Sequence, residues 1–151
     1  MNVNAQGECL ICATEDAPED AVVFRDDLWA AEIVPGYEVP GWVILRARRH
    51  AELLTGLDTP ELTTLGLRAR DLTAAMTEVT GAPTTYMLGF GENYRHFHLL
   101  FIARGQDIPV DRRGGEILKL RTEQVDRAAA LGLVPALRSA YARVAGAKAP
   151  A

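Results

Sequence analysis

Arg95-His96-Phe97-His98-Leu99-Leu100-Phe101-Ile102-Ala103-Arg104 is the stretch whose reading decides the fold of this chain, and it holds two of the three histidines. Apart from those histidines its interior is apolar, as in a strand buried on both faces. Successive strand side chains point to opposite faces, so His96, His98, Leu100 and Ile102 are predicted to share one face and Phe97, Leu99 and Phe101 the other. The two imidazoles would then lie on the order of 7 Å apart along the strand. A neutral imidazole is both a competent base or nucleophile near pH 7 and a common metal ligand, so chemistry is expected here.

Working outward, Thr84–Phe90 reads as a partner strand, with Gly91-Glu92-Asn93 as a tight turn between the two. Before it, Asp58-Thr59-Pro60-Glu61 predicts a helix start with Thr59 as N-cap. Leu62, Leu65, Ala69, Leu72, Met76 and Val79 then form one core-facing stripe, ended by Gly81 and Pro83. Met76 is read as packing in that stripe. Trp42–Leu45 is a third buried strand, ending in Arg46, Arg48, Arg49 and His50. Val22–Phe24 and Leu28–Val34, parted by Asp26-Asp27, read as a hairpin. Beyond Arg104, Glu116–Leu120 is a candidate short helix, and Val134, Leu137, Tyr141 and Val144 share the face of a carboxyl-terminal helix. Hairpin strands with one long helix inserted predict an α+β domain on a mostly antiparallel sheet, with the histidine strand central.

The 151 residues fit a single domain, comprising an amino-terminal arm and loop over 1–21, the sheet and long helix, and a carboxyl-terminal extension over 105–151. A net charge of -4 argues against a general nucleic-acid surface. Arg46, Arg48 and Arg49, and the pair Arg112 and Arg113, are ordinarily solvated surface, with a phosphate-facing role as the alternative. No apolar run is long enough to span a membrane, and the amino end has neither the basic start nor the apolar stretch of a signal peptide, so a cytoplasmic location is expected.

Taken on their own, His96 and His98 could be a metal half-site, a nucleophile with a supporting residue, or two satisfied buried side chains. Cys9 and Cys12, the only cysteines, form a C-x-x-C that could supply half of a tetrahedral zinc site. The other half would come from histidines or a carboxylate. The alternative is two small apolar residues in a loose arm.

The order C-x-x-C, Pro40-Gly41-Trp42-Val43-Ile44-Leu45, Arg49-His50, a helix, a Gly-containing turn and His96-Phe97-His98-Leu99-Leu100-Phe101-Ile102-Ala103-Arg104 resembles the histidine triad (HIT) family. The likeness runs from Cys9 to about Arg104, with Leu100 where the family's third histidine stands. The resemblance implies a HIT-like fold with a five-stranded antiparallel sheet and a homodimer. It also implies a nucleotide-processing hydrolase or nucleotidyltransferase acting on dinucleoside polyphosphates or nucleoside phosphoramidates. In that reading His98 is the nucleophile that forms a nucleotidyl-histidine intermediate, with His96 the other catalytic histidine. Asn93 and Arg104 are the matching nucleotide-binding candidates, and Cys9, Cys12, His50 and His96 would hold a structural zinc. Leu100 cannot donate a hydrogen bond to phosphate, a loss that costs other enzymes about 2.7–4 kcal/mol of barrier. The alternative is a zinc-stabilised nucleotide-binding or regulatory protein with weak or no catalysis; a third reading has both His96 and His98 on a catalytic metal.

Overall fold

Strands buried on both faces, as in the six consecutive buried residues Trp42–Ala47, form one five-stranded antiparallel sheet in the computed structural model, which describes residues 9–148. The first eight residues of the arm and the last three of the chain lie outside the described residues. In chain order the elements of the sheet and its helix are β1 (Val22–Arg25), β2 (Trp29–Glu32), β3 (Trp42–Ala47), α1 (Thr59–Thr80), β4 (Thr84–Leu88) and β5 (His98–Arg104). The strand order is β1-β2-β3-β5-β4, so the histidine strand is internal, as expected.

The two faces of the sheet bury different partners. On one, Trp29, Val43, Leu45 and Phe101 pack against Leu72 and Met76 of α1. The carboxyl-terminal helix α4 (Val134–Lys148) closes the same core with Leu137 and Tyr141, the latter stacked on Phe24 with ring centroids 3.9 Å apart. The other face brings Trp42, Ile44, Leu100 and Ile102 against Ile117 and Leu120 of the carboxyl-terminal extension. That extension also contains α2 (Leu120–Glu123) and α3 (Arg127–Gly132).

Several expectations shift. The N-cap of α1 is Asp58, one residue earlier than expected, because Glu61 accepts the Asp58 backbone N–H at 2.6 Å and so completes the first turn. Leu62 is 47% exposed and outside the stripe, whereas Leu72 and Met76 are fully buried within it. Gly81 ends the helix in the left-handed region (φ +69°), where it donates to the Thr77 carbonyl at 2.8 Å. Glu116–Leu120 falls in a 3-10 turn over Gly114–Lys119 that leads into α2. The Gly91-Glu92-Asn93 turn is in fact a loop over residues 89–97, and β5 begins only at His98. The chain bends at His96, while the Phe97 N–H donates to the Ala51 carbonyl at 2.6 Å. That bend gives the two histidines different surroundings.

Candidate metal and ligand site

Cys9 and Cys12 enter the fold on a turn in which the Cys12 N–H donates to Cys9 Sγ at 3.3 Å and the Ala13 N–H to the Cys9 carbonyl at 3.1 Å. His50 follows β3, and His96 sits in the bend before β5. These four come together, with their donor atoms all within 4.8 Å of one another. Nδ1 of His96 is 3.4 Å from both sulfurs, and Nδ1 of His50 is 3.5 Å from Cys12 Sγ. The sulfur–nitrogen edge of a tetrahedron around Zn2+ comes to about 3.5 Å from ordinary metal–ligand lengths. The donor set fits that ion.

His96 is fully buried, and its Nε2 lies 2.6 Å from the Ala47 carbonyl. A carbonyl only accepts, so Nε2 carries the proton and Nδ1 turns a lone pair toward the sulfurs. Burial pushes the His96 pKa down, which keeps that lone pair available. Burial and the adjacent Cys9 push Cys12 up to about 11, a shift that a bound cation would oppose by favouring the thiolate. Both nitrogens of His96 are thereby engaged, and His98 stands outside the donor set, against the reading in which both hold a catalytic metal.

His98 lies instead on a cavity of about 820 Å3. Its Nδ1–H donates to the carbonyl of His96 at 2.6 Å, which in the neutral ring fixes the tautomer with the lone pair on Nε2. Tyr94 meets the imidazole edge-on at 6.2 Å between centroids, and Tyr37 meets Tyr94 in the same way at 6.3 Å. Asn93 lines the cavity. Arg104, at the far end of β5, does not line it; its guanidinium lies 3.4 Å from the Thr84 hydroxyl.

The basic residues at the end of β3 and just beyond it, and those at 112 and 113, are engaged with acids or backbone carbonyls rather than phosphate-facing. Arg46 is buried with no exposed surface, its Nε 2.6 Å from Glu32 and its Nη2 on Glu15. Arg48 also binds Glu15 at 2.7 Å, and Arg49 binds Glu61 at 2.6 Å. Arg112 pairs with Glu123 at 2.7 Å, and Arg113 donates to the Ile108 carbonyl at 2.9 Å.

Sequence reasoning did not reach Tyr37, Tyr94 or Arg121 as cavity residues, nor the contribution of the arm, where Leu10, Ile11, Ala13 and Thr14 form part of the wall. The position of Tyr94 in the loop before His98 is the one local signal that could have found it.

No protein-family model matches the chain, and no curated protein matches it by sequence. Solved structures do. A hypothetical histidine triad nucleotide-binding protein from Sulfolobus tokodaii aligns over 90% of this chain and 93% of its own, with a TM-score of 0.69 at 16% identity. The chain has the histidine triad fold. A zinc-bound histidine triad family protein from Mycobacterium smegmatis shares the histidine triad fold over 93% of this chain and 97% of its own (TM-score 0.63, 20% identity). So does a Plasmodium falciparum diadenosine triphosphate hydrolase, over 83% and 79% (TM-score 0.62, 12% identity).

Proposed function

We propose that this chain is a nucleotide-processing hydrolase or nucleotidyltransferase in which His98 is the nucleophile. The observation that carries the proposal is the fixed tautomer of His98, with Nδ1–H held by the His96 carbonyl on an imidazole that lines the cavity. Nε2 attacks phosphorus, the bond to the leaving group breaks, and a nucleotidyl-histidine forms that water or another acceptor resolves. A neutral imidazole serves first as nucleophile and then as leaving group. Asn93, on the cavity wall, contacts the bound nucleotide. The histidine triad fold, shared with a diadenosine triphosphate hydrolase, supports this class of reaction.

Cys9, Cys12, His50 and His96 hold a structural zinc in this reading, since four protein ligands leave no open position. Zinc supplies anchorage of the arm. The chain acts in the cytoplasm, whose reducing conditions keep both thiols free for the metal. It pairs with a second copy through the β4 edge of the sheet, where Met87 is 55% and the adjoining Phe90 69% exposed.

Incubation with radiolabelled nucleotide substrates, acid-free quenching and peptide mass analysis tests the nucleophile. A nucleotidyl adduct on the peptide containing His98, absent in His98→Ala, is expected. Equal turnover by both proteins removes the proposal.

Leu100 favours a second reading, that of a binding protein with slow or no turnover. It is 8% exposed and lines the cavity where the resemblance expects a donor. Leu100→His is expected to raise turnover of diadenosine tetraphosphate by roughly 100-fold. An inert wild type that binds AMP and gains turnover on this substitution decides for the second reading.

A further inference from the structure

Cys9 and Cys12 are the chain's only cysteines, both half-buried, and only two residues separate them. The donor atoms of the four-residue cluster lie within 4.8 Å of one another, the two sulfurs included, and the Cys12 N–H already folds back on Cys9 Sγ at 3.3 Å. Closing a bond between the sulfurs therefore needs side-chain rotation within one turn and no movement of the sheet. Solvent reaches the cluster from the side of His50, which is exposed, whereas His96 closes it from within. Two adjacent sulfurs open to small solutes, each able to resolve the oxidation of the other, make a site for reversible oxidation.

A bridge between them differs from the metal cluster in what it ties together. Cys9 and Cys12 both belong to the arm, while His50 follows β3 and His96 precedes β5, so a metal held by all four fastens the arm to the sheet. A disulfide joins the arm only to itself. It also removes both thiolates, and the two imidazoles that remain are half of a tetrahedral zinc set. The Nε2–H bond from His96 to the Ala47 carbonyl needs neither sulfur, so it keeps the ring in place for rebinding.

On the reading that these four residues hold zinc, we propose that Cys9 and Cys12 are a hydroperoxide-sensitive thiol pair whose oxidation releases the metal and unfastens the arm from the sheet. One thiolate gives an electron pair to an oxygen of the peroxide, the O–O bond breaks, and hydroxide departs to leave a sulfenic acid. The second thiolate attacks that sulfur; the S–S bond forms as the S–O bond breaks and a second hydroxide departs. Two protons from solvent convert both hydroxides to water. The sulfur pair has lost two electrons and the peroxide has gained them, and a dithiol reductant reverses the change. The arm then keeps the buried Ile11 and the ion pairs of Glu15 with Arg46 and Arg48 as its anchors. Because Ile11, Ala13 and Thr14 line the cavity, the thiol pair controls part of the cavity wall.

The test treats zinc-loaded protein, its metal content measured first, with hydrogen peroxide in the presence of a chromophoric chelator, and follows the mass of the peptide carrying both cysteines. One zinc per chain is expected to pass to the chelator as that peptide loses two hydrogens, and reduction with a phosphine followed by added zinc should restore both. Amide hydrogen exchange over residues 9–16 is expected to quicken by roughly tenfold in the oxidised protein, with β3 unchanged. Zinc retained through the peroxide treatment, or lost with sulfinic acid and no S–S bond, overturns the inference and leaves the zinc reading standing. Release without faster exchange in the arm overturns the unfastening. A chain that takes up no zinc at the outset removes both.

Discussion

Arg46 stands directly across the β3–β5 pair from His98, with no exposed surface, and is held by Glu32, itself fully buried, and by Glu15. Desolvating such charges is costly, and removing one partner leaves the other stranded. Arg46→Met is therefore expected to destabilise the protein by roughly 3 kcal/mol, at the lower end for buried pairs because Arg25 still reaches Glu32 at 3.2 Å. Adding Glu32→Gln should recover part of that loss, as read by urea denaturation. Sequence alone gave Arg46 the same standing as Arg112, because residue type does not record depth. His98 and the cysteine pair stood out only through the resemblance: taken alone, C-x-x-C and H-x-H left metal, nucleophile and buried-residue readings open.

Glu15 adds a pH dependence at the same scale. Hydrogen bonds from Arg48 and Arg46 hold its carboxyl at about 2, below the ordinary 4.5. A depressed carboxylate pKa stabilises the fold above its unfolded value, and that stabilisation disappears as pH falls toward the folded one. In metal-free protein the stability difference between wild type and Glu15→Gln should be constant above about pH 5 and shrink between 4.5 and 2. Chemical denaturation at a series of pH values reads it; a difference that stays constant through that window would refute the assignment.

Among the elements, the start of α1 shows how a local signal propagates. Glu61 is 2% exposed and accepts from both the Asp58 N–H and Arg49, each at 2.6 Å, so one carboxylate caps the helix and ties it to the segment after β3. Glu61→Ala should lower stability by about 1–2 kcal/mol, more than an exposed cap residue, whereas Glu61→Gln should retain part of the cap. Circular dichroism melts distinguish the two. The helix itself was legible because Asp, Pro and Glu at its start and Gly81 at its end are dictated by backbone chemistry. The loop over residues 89–97 was not. Its Gly-Glu-Asn reads as a tight turn, but the segment is lengthened to deliver Asn93 and Tyr94 to the cavity and His96 to the cysteines, a purpose set by distant parts of the chain. Likewise α3 escaped notice because Arg127-Ala-Ala-Ala has no strong apolar period, although Asp126 caps it through the Ala129 N–H at 3.0 Å.

On the scale of the whole molecule, the metal and ligand sites share a wall. The turn that brings Cys9 and Cys12 to His50 and His96 continues directly into residues that line the cavity, among them Ile11, Ala13 and Thr14. A zinc bound by the four donors would hold this segment against the sheet, and its removal leaves the Glu15 ion pairs and the packing of Ile11 as the remaining anchors. The arm is then the element through which a coupling of the two sites is expected to run. Chelation of zinc is expected to weaken AMP binding by roughly tenfold, a coupling of ordinary size. Coupling of binding free energies is reciprocal, so saturating AMP must tighten zinc by the same factor, as read by competition with a chromophoric chelator. Cys12→Ser should lose zinc and reproduce the weakened AMP binding of the chelated wild type, with His98 untouched. If AMP affinity is the same with and without zinc, the arm is held equally well by its ion pairs and the wall of the cavity is independent of the metal.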